Sequence, residues 1–156
     1  IAALCALVPV SSTREEAVEA ALELIEKDSL AHEAVKIGIQ FKNKDASNLH
    51  KNYGDMSPVH SLNNLAVVVW AFLSFQDSFD EAIGETICCG WDTDCTGATV
   101  GGLIGLDKGS IPNSWTDPWQ GRVSTAIAGV GELKLDQLIE RTCTLVEKFS
   151  TEPDLQ

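Results

Sequence analysis

Asp92 and Asp94 stand two residues apart within Gly90-Trp91-Asp92-Thr93-Asp94-Cys95-Thr96-Gly97, with hydroxyls beside them at Thr93 and Thr96. Two carboxylates this close repel one another unless a cation or a shared proton lies between them. Carboxylate and hydroxyl oxygens are the donors that Mg²⁺, Mn²⁺ and Ca²⁺ prefer. Gly97, Gly101 and Gly105 recur four residues apart just downstream. Each costs a helix interior about 1 kcal/mol against alanine, and together they leave a smooth groove for a neighbouring helix. The segment therefore reads as a hard-cation site at a closely packed helix end, where phosphate-bearing ligands could be held. A purely structural reading stands beside it, since Asp near a helix start accepts orphan N–H groups and complements the dipole by ~0.3–1 kcal/mol.

Known sites narrow the choice. An EF-hand loop begun at Asp92 places its glycine correctly at Gly97, but its twelfth position is Leu103 where a bidentate Glu is required. Asp92-Thr93-Asp94-Cys95-Thr96 also fits the DxDxT nucleophile motif of haloacid-dehalogenase-type phosphatases. That motif follows a buried strand and needs a second acidic pair, whereas helix-like Glu85 to Cys89 precedes it here and no Asp-Asp occurs. His32, His50 and His60 are scattered without HExxH spacing, which argues against zinc. Cys95, flanked by carboxylates, is a poor nucleophile.

The elements that must position these residues read as helices. Thr13 and Glu16 have capping-box spacing, and Ala17, Val18, Ala21, Leu24 and Ile25 then form one apolar stripe. A second helix is predicted over 29–41 and a short one before Tyr53. The apolar run from His60 to Phe75 is too long for a strand and predicts a helix buried on most sides. Ser78 and Glu81 repeat the capping spacing ahead of a helix that Gly90 stops. Beyond the glycine-rich helix come a loop through Pro112 and Pro118, a short helix ending near Gly129 and Gly131, and an amphipathic helix. The last carries Leu138, Ile139, Leu145, Val146 and Phe149 on one face and Asp136 at its start. Trp115 and Trp119 are expected to pin the loop to the core, and Asn63 and Asn64 to be one bridging amide and one exposed neighbour. No strand-like alternation stands out, so the fold class is all-α.

Composition sets the limits on partners. With 156 residues, 44% of them hydrophobic, one domain with a real core is expected over 1–156. A net charge of −12 argues against direct nucleic-acid binding and against an anionic membrane. Cys5, Cys88, Cys89, Cys95 and Cys143 contain no CxxC pair, and a reduced, cytoplasmic protein is expected. Ile1 to Val8 is apolar, carries no basic flank and is far short of the ~20 residues that span a bilayer. It reads as the inside of a helix in a longer protein.

Val59-His60-Ser61-Leu62-Asn63-Asn64, Asp80-Glu81-Ala82-Ile83, Gly90 to Gly105, Ile111-Pro112 with Trp115, and Leu138-Ile139-Glu140-Arg141-Thr142 follow one another along the chain. In that order they resemble the ADP-ribosylglycohydrolase family, which includes dinitrogenase-reductase-activating glycohydrolases and J1 crystallins. The resemblance implies an all-helical fold, an orthogonal multi-helix bundle of which this chain looks like the C-terminal part. It further implies a pair of Mg²⁺ ions, with Mn²⁺ as the substitute, at the bottom of a cleft for ADP-ribose. The reaction is hydrolysis of an N- or O-glycosidic bond at the ribose C1″, freeing ADP-ribose from a protein or small acceptor. Asp92 and Asp94 match the late metal ligands. Cys95 takes a position where a coordinating Thr is common, and its soft sulfur suits Mg²⁺ poorly.

Trp91 and His60 are candidates to line the substrate pocket, although a His ahead of a buried helix more often serves it through hydrogen bonds. The family's early ligands, Thr or Ser followed by Asp-Asp, are not in this sequence. The chain alone is therefore expected to bind metal weakly and turn over little, with its companion half or a second copy against the apolar start. The alternative is a non-catalytic, crystallin-like helical member whose acidic segment only caps a helix.

Overall fold

The computed structural model describes residues 1–151. These fall into two compact units, Ile1–Ile111 and a second beginning at Pro112. In the first unit the apolar opening forms α1 (Ala2–Leu7), followed by a 3₁₀ turn (Val8–Val10) with Pro9 in its first turn, where a missing N–H costs nothing. Leu4 and Val8 are buried, while Ile1 remains 48% exposed.

Side-chain oxygens begin the helices that the sequence marks. Thr13 accepts from the Glu16 N–H at 3.1 Å and starts α2 (Arg14–Glu23). The Glu16 carboxylate returns to the Ser12 N–H at 2.7 Å, one residue earlier than in an ideal capping box. Ser29 and Ser78 cap α3 (Leu30–Gln40) and α6 (Phe79–Cys88) in the same way, accepting from the His32 and Glu81 N–H groups. Between them lie α4 (Ser47–Tyr53) and α5 (Ser61–Ser74), and α7 is Thr93–Lys108.

The centre of the unit is α5. Ala66 through Leu73 are each at most 4% exposed, so no face of this stretch is left to solvent. The β-branched run Val67-Val68-Val69 loses only a few tenths of a kcal/mol per residue in helix propensity, against roughly 1.5–3 kcal/mol for burying each side chain. Burial wins, and the run is helical. α3 and α7 pack along α5, and α6 packs along α7.

The glycine with least room against a neighbouring helix lies outside the glycine stripe read from the sequence. A Cβ on Gly38 of α3 would sit 2.7 Å from Val69 Cβ and 2.9 Å from Ala66 O, both on α5. On α7, a Cβ at Gly97 would meet Ile87 at 3.7 Å, and one at Gly101 would meet Ile83 at 3.4 Å, ordinary contact distances. The stripe does receive α6 at these two positions with room to spare, while a Cβ on Gly105 would come within 3.1 Å of the Ile111 side chain.

Arg14, at the first position of α2, is 4% exposed and joins three elements. Its Nη1 donates to Phe72 O and Phe75 O at 2.8 and 3.2 Å, carbonyls at the C-terminal end of α5. Its Nε donates to Asp107 of α7 at 2.9 Å, and the guanidinium lies 4.7 Å over the Phe72 ring. A cation at this helix end meets both its orphan carbonyls and its dipole.

Several expectations are corrected. Leu24, placed in the buried stripe, follows the end of α2 and is 72% exposed. Trp115 and Trp119, expected to be pinned against the core, are 37% and 51% exposed.

The second unit contains α8 (Asn113–Thr116), a 3₁₀ turn (Asp117–Trp119), strands β1 (Arg122–Ser124) and β2 (Glu132–Lys134), and α9 (Leu135–Thr151). The strands pair antiparallel, with Val123 opposite Leu133, where the sequence suggests a short helix. Gly129 and Gly131 take φ values of +77° and +62°, outside a right-handed helix. Three-residue strands are also too short to reveal a period of two. Asp136 lies in the first turn of α9, and the stripe from Leu138 to Phe149 on that helix is exposed. Apart from this hairpin the fold is all-α, and no helix among the described residues is long and apolar enough to cross a membrane.

Gly38→Ala is expected to destabilise the protein by about 2–3 kcal/mol, because the added methyl meets backbone and a stiff β-branched side chain. Gly97→Ala is expected to be neutral or stabilising by up to about 1 kcal/mol. Urea unfolding of the two variants checks the contrast, which equal losses would refute.

Candidate metal centre

The approach to Asp92 is a sharp left-handed corner. α6 stops at Cys89, Gly90 follows with φ +85°, and Trp91 holds φ +58°. Glycine occupies that region freely, but an aromatic residue there costs about 1–2 kcal/mol. The corner is braced by His50 from α4. Its ring stacks on Trp91 with centroids 4.0 Å apart and planes 18° from parallel, and its Nε2–H donates to Cys89 O at 2.7 Å. Leu49 and Tyr53, both buried, anchor α4 on either side of His50.

Asp92 occupies the N-cap position of α7, yet its side chain makes no capping hydrogen bond. The backbone is closed by other groups. Thr96 Oγ1 donates to Asp92 O at 2.9 Å, and the Thr93 N–H donates to Trp91 O at 3.1 Å. One ligand atom from each of Asp92, Asp94 and Cys95 lies within 4.8 Å of the others.

Asp94 is exposed, and its carboxyl is held below the usual range first by its hydrogen bond with Asp92, then by its own N–H and that of Cys95. The Cys95 thiol is pushed up by its hydrogen bond to Asp92 and by the Asp92 charge. This environment makes it a reluctant nucleophile, as the sequence implies.

The donor set suits a hard divalent cation in part. Two carboxylates offer the right oxygens at adjoining positions, and the third group is a thiol. Thr96, one of the two hydroxyls read as further donors, is buried and committed to the backbone. Asp92 also lies at the edge of a cleft of ≈ 250 Å³, lined among others by Val59, Ser61, Asn64, Leu65 and Thr99.

Neither Trp91 nor His60 lines that cleft. His60 is the N-cap of α5, and its Nδ1 accepts from the Leu62 N–H at 3.2 Å. Both asparagines bridge to the loop before α5. Asn63 Nδ2 donates to Ser57 O at 3.1 Å and Asn64 Nδ2 to Pro58 O at 3.0 Å. Asn64 is thus half-buried rather than an exposed neighbour, and its Oδ1 is buried without a hydrogen-bond partner.

His50, which braces the corner, carries no signal in the sequence. It belongs to a short helix, and its partners Cys89 and Trp91 lie about forty positions away.

A model of the ADP-ribosylglycohydrolase family matches residues 1–152. No curated protein and no solved structure matches the chain.

Cys89, one residue before the corner, is 3% exposed, and burial followed by the Glu85 charge pushes its thiol up to about 11 from 9.0. A folded pKa raised in this way leaves stability intact below about pH 9 and removes it as pH rises towards 11. Relative to Cys89→Ala, the wild type is expected to lose about 2–3 kcal/mol over that window. Urea unfolding at stepped pH measures the difference, and parallel curves for the two proteins would contradict it.

Proposed function

This chain belongs to the ADP-ribosylglycohydrolase family, and from that membership and the carboxylate pair we propose that it carries part of the centre of a metal-dependent hydrolase of ADP-ribosyl glycosidic bonds. The observation that carries the reading is the Asp92 side chain. A purely structural Asp at an N-cap accepts from the backbone of its own helix, whereas this one makes no such bond and sits beside Asp94 in a ligand-like group.

Asp92 and Asp94 would hold Mg²⁺ or Mn²⁺ through carboxylate oxygens, with Cys95 too soft to complete the set. When bound, such an ion supplies positive charge that offsets charge developing as the bond at the ribose C1″ breaks. The residues of the chain hold the geometry. Thr96 ties down the backbone of Asp92, the Gly90–Trp91 corner aims the first turn of α7, and the adjoining cleft gives a ligand a partly apolar wall. The substrates in this reading are ADP-ribosylated proteins or small molecules, and ADP-ribose is the product. No Asp-Asp pair occurs in the sequence, so Asp92 and Asp94 furnish only part of a two-ion centre, and turnover by this chain alone is expected to be slight.

A second reading is favoured by Asp94. It lies in the first turn of α7, where a purely structural acid complements the helix dipole, which suits a non-catalytic, crystallin-like member.

Calorimetric titration with Mn²⁺, then with ADP-ribose, separates the two. The hydrolase reading expects weak metal binding, reduced at least tenfold in Asp92→Asn with the helical circular dichroism unchanged, and ADP-ribose binding that depends on the metal. Binding of neither by the wild type, or equal Mn²⁺ affinity in Asp92→Asn, would favour the structural reading.

A further inference from the structure

Trp91 is a bulky residue with a left-handed backbone one position before Asp92, and one imidazole touches both sides of the Gly90 corner that places it. The His50 ring covers the Trp91 indole at 4.0 Å, while its Nε2 reaches the Cys89 carbonyl at 2.7 Å. A carbonyl can only accept, so Nε2 carries a proton and the bond survives in either charge state of the ring. Stack and hydrogen bond therefore act together on residues 89–91. Without them, the backbone of Trp91 would be expected to relax towards the right-handed or extended regions that non-glycine residues prefer. Asp92 and the first turn of α7 would turn with it.

We infer that His50 is a positioning residue for the carboxylate pair, holding Trp91 in its left-handed conformation and thereby setting the direction in which Asp92 and Asp94 present their oxygens. The inference deepens the proposed hydrolase reading and rests on it for the metal, but its structural half does not need one. His50 touches neither substrate nor ion; it acts through Trp91. α4, anchored by the buried Leu49 and Tyr53, brings the otherwise exposed His50 against the end of α6 and the corner that follows it.

NMR on the whole chain tests the structural half without metal. In His50→Ala, the Trp91 Cα and Cβ shifts are expected to leave left-handed values, and amide exchange from Asp92 to Thr96 to speed at least tenfold, while α5 amides keep their protection. His50→Phe, which keeps the ring, and His50→Gln, which keeps a donor, are each expected to restore part of the effect. Unchanged Trp91 shifts and exchange in a folded His50→Ala protein would overturn the inference. Paramagnetic broadening by Mn²⁺ tests the other half, with at least a fivefold weaker apparent affinity expected in His50→Ala and partial recovery in His50→Phe and His50→Gln. Equal affinity in wild type and His50→Ala would likewise overturn it. Should the wild type itself take up no Mn²⁺, the metal reading fails alone, and the shifts and exchange still decide the role of His50.

Discussion

Because α5 has no wet face between Ala66 and Leu73, each element against it must offer either apolar surface or almost no surface at all. Gly38 is the extreme case, since α3 comes so near that a single methyl would overlap Val69 and the Ala66 carbonyl. Interiors packed at crystal-like density do not absorb such overlaps cheaply. The same burial raises a polar problem at the end of α5, where carbonyls have no helical partner. Arg14 answers it by donating to Phe72 O and Phe75 O while Asp107 balances its charge. One guanidinium thus ties the start of α2, the end of α5 and the last turn of α7 together.

The carboxylate pair inherits its position from this arrangement. α7 is held at its far end through Asp107 and Arg14, and along its length by α5 and α6. Its first turn starts from a corner that favours glycine at one position and forces an aromatic into the left-handed region at the next. Strain of that kind persists where surrounding contacts over-determine it, and the His50 ring supplies two of them. Asp92 is then free of the capping task that an N-cap aspartate usually performs.

Much of this is legible in the sequence alone. Thr13, Ser29 and Ser78 each begin a helix at the residue where a short hydroxyl side chain can accept from the third N–H onward, because a cap is a local interaction. The buried character of α5 followed from an unbroken apolar run, and Gly90 as a helix stop from its tolerance of positive φ. Legibility failed where partners are distant or signals short. Nothing in the local sequence distinguishes Gly38 from the roomier Gly97 and Gly101 of α7, or Arg14 from a solvated first-turn residue. Where the sequence suggests a short helix ending near Gly129 and Gly131, the chain forms strand β1 instead, because no alternation can develop over three positions.

By itself, then, the sequence determined the all-α class, the helix starts, the family resemblance and the presence of two carboxylates at the head of a glycine-rich helix, all properties of neighbouring residues and their spacing. Tertiary structure alone decided that α3 leaves no room for a methyl at Gly38 against α5, that Arg14 is buried, that His60 serves its own helix, and that His50 braces the corner before Asp92. The physical reason is the range of the interactions. Capping, periodicity and turn chemistry act over three or four residues, whereas a ring stacked across about forty positions exists only once the chain has folded.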